Sequence, residues 1–219
     1  MPAEMIVLPS REAWLKNRNK GIGGSEISAV MGLNPYMTNV DLWEFKTGRR
    51  QPEDISGKPY VEYGSQAERH LRGLFRLDYP HLTVDFVDNN SWTNPRYPWA
   101  QASLDGWLTD QEGRRGVLEI KTTEIIRPGQ RARWDGQIPM NYYCQVLFYM
   151  AVIEADFSFV KAQLKSFTKD GDLILTTKHY PIELDDVRSD IDYMMEEGEK
   201  FWKYVERDER PPLVLPAVL

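Results

Sequence analysis

Two acidic residues and a lysine near the middle of the chain have the types and spacing needed for phosphodiester hydrolysis. Glu119 and Lys121 are two residues apart in LEIKTT, so on a strand their side chains point to the same face. Asp105 lies in SLDGW, and pairing of the two segments across a hairpin would place its carboxylate beside Glu119. Two neighbouring carboxylates bind a hard divalent cation such as Mg²⁺, which activates water and polarises a phosphate.

The lysine would have a separate task in such a site. Its ammonium can orient the attacking water or neutralise charge on a phosphate, and close neighbours can depress its pKa toward the range of proton transfer. The alternative is a solvated ion pair, which is the common role of an E-x-K sequence on a strand. Asp105 followed by Gly106 is likewise an ordinary turn sequence.

Composition excludes several other kinds of site. The 219 residues include one cysteine, Cys144, and three scattered histidines, so neither an internal disulfide nor a Cys/His zinc or iron–sulfur site is expected. Any metal must therefore be held mainly by oxygen. No stretch approaches the roughly 18 apolar residues of a membrane span, and the first residues lack a secretory signal pattern. These features predict a cytoplasmic protein with no membrane partner.

The net charge of −6 argues against a nucleic-acid partner until its distribution is considered. Residues 183–210 include eleven acidic and five basic residues, which accounts for the whole of that charge. One basic face elsewhere is therefore available to a polyanion. The basic clusters are Arg11, Lys16, Arg18 and Lys20 near the start, and Arg127, Arg131 and Arg133 in RPGQRAR.

Caps and apolar periodicity predict the elements that would position these residues. The predicted helices are 10–18 capped by Ser10, 25–31 capped by Ser25 and ended by Gly32, one that starts with a capping box of Thr38 and Asp41 and ends at Gly48, 60–78, 141–153, and an acidic amphipathic helix over about 184–207. The predicted strands are 82–88, 99–108, 116–123, 157–167 and 173–180, with DQEGRRG as a hairpin turn. This order predicts one α/β (α+β) domain over residues 1–219, with a central mixed sheet flanked by helices.

The sequences around these residues resemble a nuclease family. Asp105 with the later E-I-K is similar to the core of the PD-(D/E)XK nucleases, which have a restriction-endonuclease-like fold. The upstream GIGGSEISAVMGLNPY, followed by YGSQAERH, is similar to the YqaJ-type viral recombinases, the lambda-type alkaline exonucleases. The resemblance extends from about Trp14 to Tyr149 and departs from the motif in ASLDG, where no proline precedes the aspartate.

This resemblance implies roles for the central residues. Asp105 and Glu119, with the backbone carbonyl of Ile120, would hold Mg²⁺, with Mn²⁺ as the alternative ion. Lys121 would serve the attacking water. Glu68 matches an acidic residue that completes a second metal position, so one or two ions are expected. Without the resemblance, Glu68 would be an exposed helical charge beside two arginines.

The resemblance also implies DNA-binding residues. Arg18 and Ser25 match an arginine and a serine that bind a terminal 5′-phosphate, which agrees with the anion preference of a helix N-terminus and of a guanidinium fork. The adjacent Gly23-Gly24 pair lets the backbone approach a ligand closely. The alternative is a helix cap with a surface arginine.

Three further residues are expected at the DNA. Ser103, two residues before Asp105 and therefore on the same face of the predicted strand, is expected to contact the scissile phosphate. Gln145 and Tyr149 are four residues apart on one helix face and match the Q-x3-Y element of related nucleases. The alternative for Gln145 is a buried amide that is satisfied by the backbone.

Taken whole, the resemblance implies a Mg²⁺-dependent 5′–3′ exonuclease of double-stranded DNA that releases mononucleotides and leaves a 3′ single-stranded tail. It further implies a toroidal homotrimer, duplexes with 5′-phosphorylated ends as substrates, and a single-strand annealing protein as partner in phage-type recombination inside a bacterial host. Two alternatives remain open at this point. They are a structure-specific or restriction-like endonuclease, and a non-catalytic DNA-binding module on the same fold.

Overall fold

A computed structural model describes residues 2–215, in which two sheets are accompanied by helices. The strands are β1 (Glu4–Val7), β2 (Ile22–Gly23), β3 (Thr83–Asp85), β4 (Asn90–Asn94), β5 (Tyr97–Ala102), β6 (Gly106–Thr109), β7 (Arg115–Glu124), β8 (Phe157–Phe167) and β9 (Leu173–Glu183). The helices are α1 (Arg11–Arg18), α2 (Gly24–Val30), α3 (Asn39–Lys46), α4 (Pro59–Asp78), α5 (Pro128–Ala132), α6 (Met140–Ile153) and α7 (Leu184–Glu206).

The larger sheet is mixed and has the order β3-β6-β7-β8-β9, in which β7 and β8 are parallel and the other neighbours antiparallel. The smaller sheet has the order β1-β4-β5-β2. The mixed sheet flanked by helices confirms the predicted fold class. The short β1, β2 and β4 and the five-residue α5 were not predicted, because segments of this length show little periodicity.

Strand β7 separates two apolar clusters, and this determines which face its polar side chains use. Leu118 and Ile120 pack in a cluster with Leu71 and Phe75 of α4. Val117, on the other face, belongs to the larger cluster that contains the buried residues of α6. Because side chains alternate along a strand, the residues in phase with Val117 project on the α6 side.

The predicted strand over 99–108 is wrong as a single element. It is divided into β5 and β6, which belong to different sheets, by three residues that we call the crossover, Ser103–Asp105. The side chain of Asn90 replaces the missing ladder bonds, since its Nδ2 donates to Leu104 O at 3.0 Å and its Oδ1 accepts from Leu104 N at 2.9 Å. The crossover therefore carries Asp105 from one sheet to the other.

Two of the predicted helix caps are confirmed and one is wrong. Ser10 Oγ accepts from Ala13 N at 3.1 Å at the start of α1, and Thr38 forms its expected capping box at the start of α3. Helix α2, however, begins at Gly24 with Gly23 at the cap, so Ser25 lies inside the first turn. Within residues 2–215, no helix is both long enough and apolar enough to cross a membrane.

Candidate active site

One cavity of about 850 Å³ brings together all ten of the predicted site residues. It lies between α1, the start of α2, the first half of α4, the crossover, the end of β7 and one face of α6. The predicted site residues in its lining are Arg18, Ser25, Glu68, Ser103, Asp105, Glu119, Ile120, Lys121, Gln145 and Tyr149. Residues far apart in sequence therefore share one solvent-accessible space.

The centre of the cavity is a buried cluster around Glu119, which is only 2% exposed. Lys121 Nζ lies 2.6 Å from Glu119 Oε1, so the two side chains share a face of β7 as predicted. Gln145 Nε2 donates to the same oxygen at 2.7 Å and lies 3.0 Å from Tyr149 Oη. The predicted α6 pair therefore fixes the carboxylate, and the alternative of an amide satisfied by the backbone is excluded for Gln145.

Asp105 is held beside Glu119 by the backbone of β7. Gly106 pairs with Leu118 in the ladder, which places the residue before it next to Glu119. The Asp105 carboxylate accepts from Ile120 N at 2.8 Å, and Arg72 Nε donates to the Asp105 carbonyl at 2.6 Å. Asp105 therefore lies in the crossover and not in a strand, and its carboxylate contacts the backbone of β7.

The expected strand face shared by Ser103 and Asp105 is wrong, because both residues lie in the crossover. Ser103 lines the cavity, but its hydroxyl already forms two hydrogen bonds with neighbouring residues. It donates to Asn90 O at 2.9 Å and accepts from Trp14 Nε1 at 3.0 Å. In this arrangement Ser103 links α1 to the crossover.

Burial and mutual repulsion make the carboxylates of the cavity hold protons tightly. Burial, followed by the charge of Asp105, raises the pKa of Glu119 to about 8. The same two causes raise the pKa of the half-buried Glu68 to about 7, and burial also raises the pKa of Asp105. Because each of these groups is stabilised by added positive charge, the cavity favours a bound cation.

The pKa of Lys121 shifts in the direction opposite to the expected one. Burial disfavours its ammonium, but the carboxylates of Glu119 and Asp105 outweigh that cost, so the pKa of Lys121 lies above its ordinary value. The lysine is therefore a stable cation at neutral pH. It can donate hydrogen bonds and neutralise charge, but it is a poor proton acceptor.

The donor set of the cavity fits a hard divalent cation. Glu119 Oε2 is buried and has no hydrogen-bond partner among residues 2–215, so one carboxylate oxygen beside Asp105 is left for a ligand. Carboxylate and carbonyl oxygens are what Mg²⁺ prefers. Across the same residues, no three His, Cys, Asp or Glu side chains converge on a common point, so Glu68 does not join the pair as a third ligand. Its burial nevertheless excludes the alternative of an exposed helical charge.

The raised carboxylate pKa values predict how the cation-free protein responds to pH. A carboxylic acid whose pKa is higher in the folded than in the unfolded state binds its proton more tightly when the protein is folded. Its protonated form therefore stabilises the fold at low pH, and this stabilisation is lost as the pH rises through the pKa of the folded state. With EDTA present, the urea midpoint should therefore fall between about pH 5 and about pH 8.5 through Glu68 and Glu119. Glu119→Gln should reduce this fall, and an unchanged pH dependence in the variant would contradict the assignment.

The opposite wall of the cavity is basic. Arg18 Nη2 donates to Ser25 Oγ at 3.0 Å, as the resemblance implies for a shared anion site. The Trp14 ring lies beside both Arg11 and Arg18, whose guanidinium carbons are 4.1 and 4.8 Å from its centroid. Sequence reasoning missed Trp14 and did not assign Arg11 to the site. The available signal was their spacing: Arg11, Trp14 and Arg18 are three and four residues apart, which places them on one face of a helix.

A buried ion pair fixes this basic wall from behind. Lys46 Nζ, on a side chain only 2% exposed, lies 2.8 Å from Glu26 Oε2 and donates to the Arg18 carbonyl at 3.0 Å. The same Glu26 oxygen accepts from Gly23 N at 2.7 Å at the start of α2. One lysine thus ties the end of α1 to the start of α2, which holds Arg18 and Ser25 in place.

Gly24 allows α2 to pack directly against the Tyr149 ring. A Cβ atom at Gly24 would lie 2.3 Å from Tyr149 Cε1. Gly24→Ala should therefore lower the free energy of unfolding by about 1–3 kcal/mol in urea titrations. Gly73→Ala in α4, where an added Cβ has no neighbour within 4 Å, is the matched control and should raise it by up to about 1 kcal/mol. Equal stability of Gly24→Ala and the wild type would mean that the ring lies elsewhere.

Comparison with solved structures identifies the same fold in two exonucleases. An alkaline exonuclease, LHK-Exo from Laribacter hongkongensis, matches with a TM-score of 0.63 at 17% identity over 90% of this chain and 93% of its own. The structure of LHK-Exo in complex with dAMP matches with a TM-score of 0.62 at 18% identity, over 90% of this chain and 93% of its own. A phage-related exonuclease from Haemophilus somnus 129PT matches with a TM-score of 0.53 at 12% identity, over 86% of this chain and 96% of its own. At these identities the likeness shows the fold alone.

Sequence comparison identifies the family. The YqaJ-like viral recombinase domain matches residues 13–157, a range that contains every predicted site residue. The uncharacterized protein YqaJ of Bacillus subtilis (strain 168) is 31% identical over 149 residues, which is 68% of this chain. The chain spans 44% of the length of that relative. On these grounds the chain belongs to the YqaJ-like viral recombinase family.

Proposed function

We propose that this chain is a Mg²⁺-dependent deoxyribonuclease that digests linear duplex DNA in the 5′ to 3′ direction, releases mononucleotides and leaves a 3′ single-stranded tail. One observation carries the proposal. A buried carboxylate pair with a charged lysine and a basic arginine–serine wall line the same cavity. The proposal is supported by the exonucleases that have the same fold and by the family to which the chain belongs.

Each residue of the carboxylate cluster would have a different role in hydrolysis. Asp105 and Glu119, with the Ile120 carbonyl, would hold Mg²⁺, with Mn²⁺ as the alternative. A bound ion supplies Lewis acidity to the phosphate and lowers the pKa of water. The Lys121 ammonium orients the attacking water and neutralises charge on the phosphate, while Gln145 keeps the Glu119 carboxylate in position.

The basic wall would set the direction of digestion. Arg18 and Ser25 would hold the terminal 5′-phosphate, so the next phosphodiester along the same strand lies toward Asp105 and Glu119 in the shared cavity. Cleavage there releases one nucleotide and creates a new 5′-phosphate. A nuclease with this arrangement requires a free DNA end, whereas an endonuclease also cuts DNA that has no end.

The wider setting belongs to the same proposal. We place the chain in a toroidal homotrimer that encloses the duplex, because a ring keeps the enzyme on its substrate between cycles. A single-strand annealing protein would coat the 3′ tail in the cytoplasm of a bacterial host. One or two ions would serve each site, the second with help from Glu68.

Gel digestion tests the activity directly. Linear duplexes with 5′-phosphate or 5′-hydroxyl ends and a closed circle are incubated with Mg²⁺, with Mn²⁺ or with EDTA. We expect metal-dependent loss of the phosphorylated linear duplex and an intact circle. Cutting of the circle would replace the proposal by the endonuclease, and binding without cutting would replace it by the non-catalytic module.

Substitution of the basic wall should abolish the preference for phosphorylated ends. Arg18→Gln and Ser25→Ala should each slow digestion of 5′-phosphorylated duplex by about tenfold to a hundredfold, because a charge-assisted hydrogen bond is lost. Digestion of 5′-hydroxyl duplex should change little. The initial-rate ratio of the two substrates measures this, with the exposed Arg69→Gln as control. A ratio that stays at the wild-type value would exclude these residues from phosphate binding.

A further inference from the structure

A second groove, of about 280 Å³, shares a wall with the active-site cavity. Lys121 lines the cavity, whereas the next two residues of β7, Thr122 and Thr123, line the groove. In the first turn of α4, Val61 lines the cavity, whereas its neighbour Tyr60 lines the groove. A polymer entering the cavity at this point therefore has a second path directly beside it.

The groove presents aromatic rings next to a cation. Tyr60 and Tyr63 are 61% and 36% exposed, and the nearby Phe167 is 51% exposed. Lys165 Nζ lies 5.0 Å from the Tyr63 ring centroid and 5.4 Å from that of Phe167. Tyr63 Oη donates to Gln163 Oε1 at 2.6 Å, which fixes the orientation of its ring. Exposed rings that are grouped at one place, as these are around Lys165, are typical of a binding surface.

The Lys165 ammonium lies 4.0 Å from the carboxylate of Glu124, which also lines the groove, and unpaired positive charge follows in the next segment of the chain. Ile125 N donates to the Lys165 carbonyl at 2.7 Å, so the segment after β7 starts beside the groove. Over residues 2–215 none of the arginines in this segment forms an ion pair, although the whole chain has a net charge of −6. These exposed arginines are Arg127, Arg131 and Arg133.

We infer that this groove binds single-stranded DNA, with bases stacked on Tyr60 and Tyr63 and phosphates beside Lys165 and the arginines of 127–133. Aromatic platforms within a basic track are the general means of binding single strands, because every base has a face that can stack. Paired bases in a duplex offer no such face to a groove. The inference rests on the proposed function for the origin of the strand, which is the uncleaved strand left when its complement enters the cavity.

Binding measured without hydrolysis tests the groove. The full chain is titrated with fluorescein-labelled oligo-dT in EDTA, and the anisotropy is recorded. Tyr60→Ala combined with Tyr63→Ala should weaken binding by about tenfold or more. Tyr60→Phe combined with Tyr63→Phe should bind as the wild type, because the rings remain. Tyr193→Ala, which removes a 59% exposed tyrosine from α7, is the matched control and should have no effect.

The arginines have a separate readout. Arg127→Gln with Arg133→Gln should make the slope of log affinity against log salt shallower by roughly one, because single strands release about 0.7 counterion per phosphate contact. Loss of affinity with an unchanged slope would exclude these arginines from phosphate contact.

Three outcomes would overturn the stacking role. They are wild-type affinity in the double alanine variant, equal loss in the double phenylalanine variant, and equal loss in Tyr193→Ala. Gel digestion of linear duplex separates this inference from the proposed function. If the chain digests duplex DNA but binds oligo-dT equally well without the two tyrosines, the inference about the groove is wrong and the proposed function stands. If binding requires the tyrosines but the chain cuts no DNA, the proposed function is wrong and the groove stands.

Discussion

Asp105→Asn and Glu119→Gln should each lower the rate of duplex digestion by at least about a thousandfold. Each change removes one of the two buried carboxylates that face each other at the end of β7, so the site can no longer hold a divalent cation with the same charge. The amide keeps the shape of the side chain, and the fold should therefore persist. Release of labelled mononucleotides from a 5′-phosphorylated linear duplex measures the rate.

Two further measurements separate lost chemistry from lost structure. Mg²⁺ should raise the thermal midpoint of the wild type and should raise that of Glu119→Gln much less, since a ligand that binds the folded state stabilises it. Glu112→Gln changes an 80% exposed carboxylate in the β6–β7 turn and should leave both activity and the Mg²⁺ effect unchanged. Either catalytic variant retaining a tenth of the wild-type rate would contradict the assignment.

Lys121→Met should lower the digestion rate by at least about a hundredfold. The ammonium lies 2.6 Å from the Glu119 carboxylate and places a positive charge beside the Asp105–Glu119 pair. Methionine keeps much of the length and the apolar packing of the side chain but removes the charge. The rate at saturating Mg²⁺ measures the loss, and Lys203→Met, at a half-exposed position on α7, is the control.

The lysine variant also has a signature in stability. At about pH 9, above the Glu119 pKa of about 8, the pair is ionised, and removing the lysine leaves the buried carboxylate uncompensated. Lys121→Met in EDTA at that pH should therefore be less stable than the wild type by about 3 kcal/mol. Adding Glu119→Gln should restore part of that loss, because the buried charge is then removed as well. Additive losses in the double variant would mean that the two side chains are not a pair in solution.

Much of this site is predictable because alternation along one strand is a strong local rule. Leu118 and Ile120 had to be buried together, and this alone placed Glu119 and Lys121 on one opposite face. Helical spacing brought Gln145 and Tyr149 to the same carboxylate in the same way. Both rules act within a few residues, where the geometry of the backbone leaves little choice.

The parts that could not be predicted depend on contacts distant in sequence. The crossover interrupts a segment that alternates like one strand, and the cause is the side chain of Asn90, fourteen residues from Leu104. The raised pKa of Lys121 depends on how deeply two carboxylates are buried beside it, which no spacing rule contains. The stacking of Arg11 on Trp14 likewise forms part of the site only after α1 packs on the crossover.

The crossover determines the order in which the cavity can be completed during folding. Pairing of β6 with β7 within the five-stranded sheet is enough to place Asp105 beside Glu119. Ser103 hydrogen-bonds Asn90 and Trp14, so the wall that contains α1 joins the carboxylates only when the four-stranded sheet has also formed on the other side of the crossover. A partly unfolded molecule that has lost the smaller sheet would therefore keep its carboxylate pair and lose its basic wall.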